Sequence, residues 1–305
     1  MRGRLAEKQC GLEGDNRGIP SSLASLGLCR QAKMDFWIRF WGVRGSIACP
    51  SPNHVEFGGN TSCIEVRAGD TSIVLDAGTG IRNLGQSFIE RDIREATVCL
   101  THTHWDHING FPFFTPAYSA DHSFRIRAGH LADAGGVQRV LAGQMARPTF
   151  PVPLSALKAE LTFEDFRAGE EFDIGPVRVK TAPLRHPDGA TGYRFEYNGR
   201  SFCYVTDTEH VPGQRDERIA SLIKDANLVI YDSTYTDEEF PAHVGWGHST
   251  WQEGVRLAKS SGVERLAIFH HDPYHDDAFM RGVEQQAGEA FTGSFVAKEG
   301  MKIDI

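Results

Sequence analysis

Thr101-His102-Thr103-His104-Trp105-Asp106-His107-Ile108-Asn109-Gly110 places three histidines and an aspartate within six residues, directly after the apolar run Ala96-Thr97-Val98-Cys99-Leu100. A short apolar run that stops at a polar cluster reads as a buried strand, Ala96 to Thr101, with the cluster as the loop at its carboxyl end. Core packing gives no reason for such a string. Alternating positions of a tight loop turn the imidazoles of His102 and His104 toward one point, and Asp106 and His107 toward a neighbouring one. Neutral imidazole with carboxylate is a donor set for zinc, with manganese or iron as substitutes.

Upstream, Ser62 to Ala68 and Thr71 to Asp76 read as a hairpin joined by Gly69-Asp70, and Ala77-Gly78-Thr79-Gly80 turns the chain into a helix around Ile81 to Glu90. Downstream, Val177 to Leu184, Tyr193 to Tyr197, Ser201 to Thr206, Leu228 to Tyr231 and Arg265 to Phe269 read as strands. Helices are expected near Asp216 to Lys224 and over Thr250 to Ser260, the latter capped by Ser249. Three of these strands run directly into Asp207, Asp232 and His270. His186, Asp207 and His270, each just past a strand, are the natural candidates to complete two open metal sites with the HxHxDH string. His271, His275 and Asp272 stand nearby as alternative or supporting groups. His54, His122, His130, His210 and His243 have no comparable context.

The 305 residues carry Lys+Arg 32 against Asp+Glu 40, a net charge of -8, which argues against nucleic-acid binding by bulk electrostatics. The six cysteines form no CxxC pair, and most read as small buried hydrophobes of a reducing compartment, so a cytoplasmic location is expected. No apolar run is long enough to span a bilayer. Residues 1–33 read as a disordered extension and 34–305 as a single mixed α/β domain, because strand-like and helix-like segments alternate from Met34 onward without a linker.

From about Phe36 to the end, these residues resemble the metallo-β-lactamase superfamily. The resemblance implies an αββα four-layer sandwich with two divalent metals, zinc foremost, at one edge between the sheets. Position by position it implies His102, His104 and His186 on the first metal, Asp106, His107 and His270 on the second, and Asp207 bridging them. The stretches "LDAGTG" and "GHSTWQEGVRLAKSSGVERLAIFHHDP" narrow the resemblance to the phosphodiesterase branch that includes ribonuclease Z. There the counterpart of His248 contacts the phosphoryl group and is partnered by an acidic residue on the preceding strand. Asp232 holds that place, where ribonuclease Z typically has Glu. The implied catalytic set is therefore Asp106, His248 and Asp232, with water activated between the metals as the attacking group. Family members are often dimers, which makes a homodimer the implied assembly.

Ribonuclease Z proteins commonly carry a flexible basic arm between the third histidine ligand and the bridging aspartate. Here only "PDGATGYRFEYNGRSFCYVT" separates His186 from Asp207, a hairpin's length. A small phosphodiester such as a cyclic nucleotide is the expected substrate, with nucleic acid less favoured. An RNA endonuclease, a carboxylic ester, lactone or thioester hydrolase, and a noncatalytic metal-binding protein are the alternatives. Asn60 and Thr61, in a Gly-rich turn, and Tyr193 and Arg194 are candidate substrate contacts. Phe111 to Phe114 fit core packing under the loop better than a wall for a base.

Overall fold

The computed structural model describes residues 35–305, and the extension expected over 1–33, with Cys10 and Cys29, lies outside them. The first half of the described chain supplies strands β1 Phe36–Gly42, β2 Cys63–Ala68, β3 Thr71–Leu75, β4 Glu95–Leu100, β5 Ser123–Ala128 and β6 Glu160–Asp165. The second half supplies β7 Glu171–Ile174, β8 Val177–Leu184, β9 Ala190–Tyr197, β10 Arg200–Val205, β11 Leu228–Asp232, β12 Leu266–Phe269 and β13 Ser294–Val296; β14 Lys302–Asp304 follows. The helices are α1 Ile81–Glu90, α2 Trp105–Ile108, α3 Val137–Gln144, α4 Glu217–Ile223, α5 Trp251–Ser260 and α6 Asp277–Ala290.

Two seven-stranded sheets result, ordered β14-β1-β2-β3-β4-β5-β6 and β13-β12-β11-β10-β9-β8-β7. Both follow one plan. Counted from β14 and from β7, three antiparallel pairings are succeeded by three parallel ones. The parallel strands thus deliver several carboxyl ends to one edge of each sheet, the position at which open α/β sheets bind ligands.

Strand periodicity explains the layering. Along β10, Phe202 and Tyr204 join the core between the sheets, while Cys203 and Val205 join the core under the helices. β11 repeats this with Leu228 and Ile230 inward and Val229 and Tyr231 outward. In β4, Cys99 faces the other sheet and Val98 and Leu100 face Leu84 and Phe88 of α1 and Leu141 of α3. Both faces of each sheet are therefore apolar, and each needs cover. α1 and α3 cover one sheet, α4, α5 and α6 the other, giving the αββα sandwich. Between the sheets Phe40, Tyr204 and Phe269 pack edge-on or tilted at 5.6 to 5.9 Å. Burial of each such ring contributes roughly 1.5–3 kcal/mol.

The structure shifts some expected boundaries. α1 and β8 span the expected residues, whereas β9 begins at Ala190, earlier than expected. α5 is capped by Thr250, whose Oγ1 accepts the Glu253 N–H at 3.1 Å, and not by Ser249. Ser249 is buried, with its hydroxyl engaged by His210 Nδ1 at 2.9 Å and Tyr231 at 3.0 Å. Phe111 and Phe114 are core residues, but Phe113 is exposed. Cys63, Cys99 and Cys203 are buried free thiols, as their apolar surroundings suggest. No helix among the described residues is long and apolar enough to cross a membrane.

Candidate metal centre

Strand ends build the site. His102 and His104 follow β4, Asp106 and His107 lie in the single turn α2, and His186 follows β8. Asp207 follows β10, Asp232 ends β11 and His270 follows β12. Asp76, Asp207 and His270 adopt left-handed backbone with φ of 58°, 58° and 65°, a conformation that costs non-glycine residues energy and recurs at functional sites. Here it turns the chain sharply at the strand end. His270 also needs Gly45 beside it, since a Cβ there would stand 2.4 Å from its ring.

Two nests of donor atoms form. His102, His104 and His186 make one, Asp106, His107, Asp207 and His270 the other, and within each nest the donor atoms lie within 4.8 Å of one another; His248 comes as close to His186 and Asp207, and again to Asp232 and His270. Asp207 reaches both: its Oδ1 is 3.7 Å from His102 Nε2 and 3.8 Å from His186 Nε2, and its Oδ2 is 3.2 Å from His107 Nε2. His270 Nε2 stands 3.3 Å from Asp106 Oδ2 and 3.4 Å from Asp207 Oδ1.

The hydrogen bonds on the far side of each ring decide which nitrogen faces the nest. Thr101 Oγ1 donates to buried Asp76 and so accepts from His102 Nδ1 at 3.1 Å. His107 donates Nδ1–H to Asp76 Oδ2 at 2.9 Å, and His186 donates Nδ1–H to the Gly247 carbonyl at 2.8 Å. Thr234 Oγ1 donates to Asp232 Oδ1 at 2.7 Å and accepts from His270 Nδ1 at 3.0 Å. In each case Nε2 is left as a lone pair turned inward. His107 Nε2 and His270 Nε2 then face each other at 3.3 Å, and His186 Nε2 faces His104 Nδ1 at 3.0 Å. Buried His102 Nε2 has no hydrogen-bond partner. Lone pairs aimed at one another across so short a gap, beside two buried carboxylates, require a positive charge between them. The residues present therefore fit divalent metal ions.

The electrostatics show how much negative charge the nests concentrate: burial opposes the charged form of His107, but Asp207, then Asp106 and Asp76, outweigh it and hold that imidazole well above the ordinary histidine value, a proton that a bound cation would displace. Burial holds His102 well below the ordinary histidine value, with His107 adding to the effect. Asp207 and Asp106 are held well below the usual carboxylate range; burial opposes this, but the facing imidazoles, His270 and His107 foremost for Asp207 and His107 for Asp106, outweigh it. Neutral imidazole and ionised carboxylate are the metal-binding forms.

Asp76 is the member of this constellation that had no assigned role in the sequence, although it lies in the "LDAGTG" stretch. It accepts from the Thr101 N–H at 2.7 Å, the Thr101 hydroxyl, the Tyr204 hydroxyl at 2.8 Å and His107. An Asp76→Asn protein should fold yet bind metal about 10- to 100-fold more weakly, because the amide no longer fixes the His107 tautomer; competition with a chelator would measure this.

His248 lies beside the nests, its Nδ1 3.1 Å from Asp232 Oδ2 and 3.8 Å from Asp207 Oδ1, its ring 5.0 Å from that of His270. The shorter Asp side chain therefore reaches. Asp232 is fully buried and also accepts the Thr208 and Thr234 N–H groups. Burial of His248 opposes its charged form, but Asp232, then Asp207 and Asp106, prevail and push its pKa up to about 9. Of those three carboxylates only Asp232 lies outside the nests.

The candidate substrate contacts do not gather here. Tyr193 is buried in the core and donates to the Leu100 carbonyl at 2.7 Å. Arg194 donates to Glu196, Ser201 and the Leu222 and Lys224 carbonyls. Thr61 exchanges hydrogen bonds with Thr79, and the Asn60 side chain is held by Glu299 at 3.1 Å. All four are framework residues. His271 donates to the Ala297 carbonyl and His275 pairs with Glu239, each at 2.9 Å, so neither enters a nest. Exposed Trp105, between two nest residues, had no reading from the sequence.

The profile described as "Beta-lactamase superfamily domain" matches residues 71–271, more than half of the chain. A curated ribonuclease Z of Porphyromonas gingivalis is 22% identical over 308 residues, covering 85% of this chain and 96% of its own. Among solved structures, a diphosphatase of the PhnP family superposes with a TM-score of 0.66 at 16% identity, covering 88% of this chain and 98% of its own. The short form of human tRNase Z gives a TM-score of 0.61 at 19% identity, with 88% and 99% covered. With paired sheets, convergent strand ends and the matched profile agreeing, this chain belongs to the metallo-β-lactamase superfamily, in its ribonuclease Z-like branch, and is a metal-dependent hydrolase.

Proposed function

We propose that the chain is a phosphodiesterase acting on small phosphodiesters, cyclic nucleotides among them, with two divalent metal ions, zinc foremost. His102, His104 and His186 would hold one, Asp106, His107 and His270 the other, and Asp207 would serve both. The observation that carries the reading is the His248–Asp232 pair, an imidazole whose Nδ1 lies 3.1 Å from a fully buried carboxylate, directly beside the nests. Bound divalent cations would supply Lewis-acid charge to phosphoryl oxygens and an activated water at neutral pH.

The chain's own residues supply the rest. His248 offers a proton to the departing alkoxide oxygen, or a charged hydrogen bond to the phosphoryl group, while Asp232 fixes its tautomer and stabilises the imidazolium. Asp76, Thr101 and Thr234 hold the nest imidazoles with their lone pairs inward.

The stretch between His186 and Asp207 supports a small substrate. It is β9 and β10 joined through Asn198-Gly199, both at positive φ as a tight hairpin turn needs. No extended arm leaves the domain there to grip a long RNA. A ribonuclease Z-like activity is the second reading, favoured by the curated ribonuclease Z relatives that align along most of the chain. Zinc- or manganese-loaded protein should hydrolyse bis(p-nitrophenyl) phosphate, and Asp106→Ala should not. Preference for cyclic nucleotides over a precursor transfer RNA then separates the two readings. Hydrolysis of thioesters or carboxylic esters but no diester would defeat both.

A further inference from the structure

We infer that Glu209 is a positioning residue that locks the third histidine of the first nest and the proton donor into one closed hydrogen-bonded circuit; the inference rests on the metal-ligand reading above. Glu209 stands two residues beyond Asp207 and is not part of either nest. Its Oε2 accepts the N–H of Gly245 at 2.7 Å and the N–H of Gly247 at 2.9 Å. Its own N–H donates to the Arg185 carbonyl at 2.7 Å, one residue before His186. The Gly247 carbonyl in turn accepts His186 Nδ1–H at 2.8 Å, and His248 is the next residue. Three separate segments, 185–186, 207–209 and 245–248, are thus tied by one side chain and one carbonyl.

Within the segment the Trp246 N–H donates to the His243 carbonyl, while the Gly245 and Gly247 N–H groups donate to Glu209. Gly245 and Gly247 have φ of 91° and 87°, backbone that glycine enters freely and leaves freely. Glycine is also required at 247, since a Cβ there would stand 2.3 Å from His186 Nδ1. The close approach that lets the carbonyl reach the ring therefore comes with a flexible backbone. One carboxylate oxygen taking two N–H groups restores the lost rigidity through charge-assisted bonds. With the Gly247 carbonyl fixed, His186 keeps its proton on Nδ1 and presents Nε2 to the nest. With the circuit opened, both the tautomer and the direction of the ring are released. Groups that orient a histidine ligand in this way typically change metal affinity by about 10- to 100-fold.

The test titrates zinc into metal-free wild type, Glu209→Ala and Glu209→Gln in competition with a chromophoric chelator, alongside amide hydrogen exchange of the same proteins. Glu209→Ala should bind zinc about 10- to 100-fold more weakly. Glu209→Gln, which keeps an acceptor oxygen but not its charge, should fall between Glu209→Ala and wild type. Amides at 243–248 should exchange faster in Glu209→Ala, with those of β10 and β11 unchanged. Unaltered affinity in Glu209→Ala, an equal loss in Glu209→Gln, or accelerated exchange throughout the domain would each overturn the inference, the last by making Glu209 a general stability residue. Failure of the wild type to take up zinc would instead remove the metal-centre reading on which it stands.

Discussion

Asp207→Asn is expected to lose tight binding of at least one of two metal ions and to reduce diester turnover on the order of 10³-fold or more, the equivalent of the several kcal/mol that metal charge supplies to a phosphoryl transition state. Asn keeps the shape of the side chain and tolerates the left-handed backbone at this position, φ 58°, so the loss would report on charge and coordination, not on folding. Asp207 is the one carboxylate that approaches His102, His107, His186 and His270 together, at 3.2 to 3.8 Å. Its neutralisation leaves Asp106 as the only carboxylate within the two nests. Metal analysis after dialysis, with turnover of bis(p-nitrophenyl) phosphate on the same samples, checks the result. A protein that retains two tightly bound ions and full activity would remove Asp207 from the centre. Wild-type thermal stability should also fall on chelation, because a ligand that binds only the folded state stabilises it, and Asp207→Asn should show a smaller drop.

His248→Ala should behave in the opposite way, with metal content retained and turnover reduced by about 10²- to 10⁴-fold, the usual contribution of a positioned acid. The size of the loss should depend on the leaving group. A p-nitrophenolate departs without help, whereas an alkoxide such as a ribose oxygen needs a proton. The variant should therefore be impaired most on cyclic nucleotides and least on bis(p-nitrophenyl) phosphate. Equal losses on both would show that His248 stabilises phosphoryl charge instead, and parallel loss of metal would make it a ligand. The pH profile gives an independent check. Asp232 raises the ring's pKa, so the acid form is fully present below the ordinary histidine value and is lost as pH rises through the raised one. Metal ions would offset the contributions of Asp207 and Asp106, which places the alkaline fall between the ordinary 6.5 and about 9. That limb should vanish in His248→Ala.

The HxHxDH loop was legible because it is local. Four donor residues in a row after one apolar strand state their chemistry without reference to the rest of the chain, and the later donors at 186, 207 and 270 each announce themselves at a strand end. The continuous apolar run of β4 similarly read as a buried strand. Residues acting through space were harder to see. Thr234 is an ordinary strand-end residue in sequence, yet its hydroxyl joins Asp232 to His270. Glu209 reads as a surface carboxylate until Gly245 and Gly247 are brought beside it.

Tyr193 and Arg194 show the same boundary from the other side. Both lie on β9 close in sequence to His186, but strand register sends Tyr193 into the core between the sheets and Arg194 to Glu196 and Ser201. The sequence alone offered the candidate donor residues and the strand-and-helix alternation of a mixed α/β domain, because residue type and apolar period are properties of short stretches; the αββα layering and the branch were implied by the resemblance those motifs carry. Only the tertiary structure decided which nitrogen of each histidine faces the nests and that Asp232 reaches His248. Those depend on partners far apart in the chain, 61 residues between His186 and Gly247 and 128 between Tyr204 and Asp76, and such partners are chosen by sheet register and chain closure rather than by neighbours in the sequence.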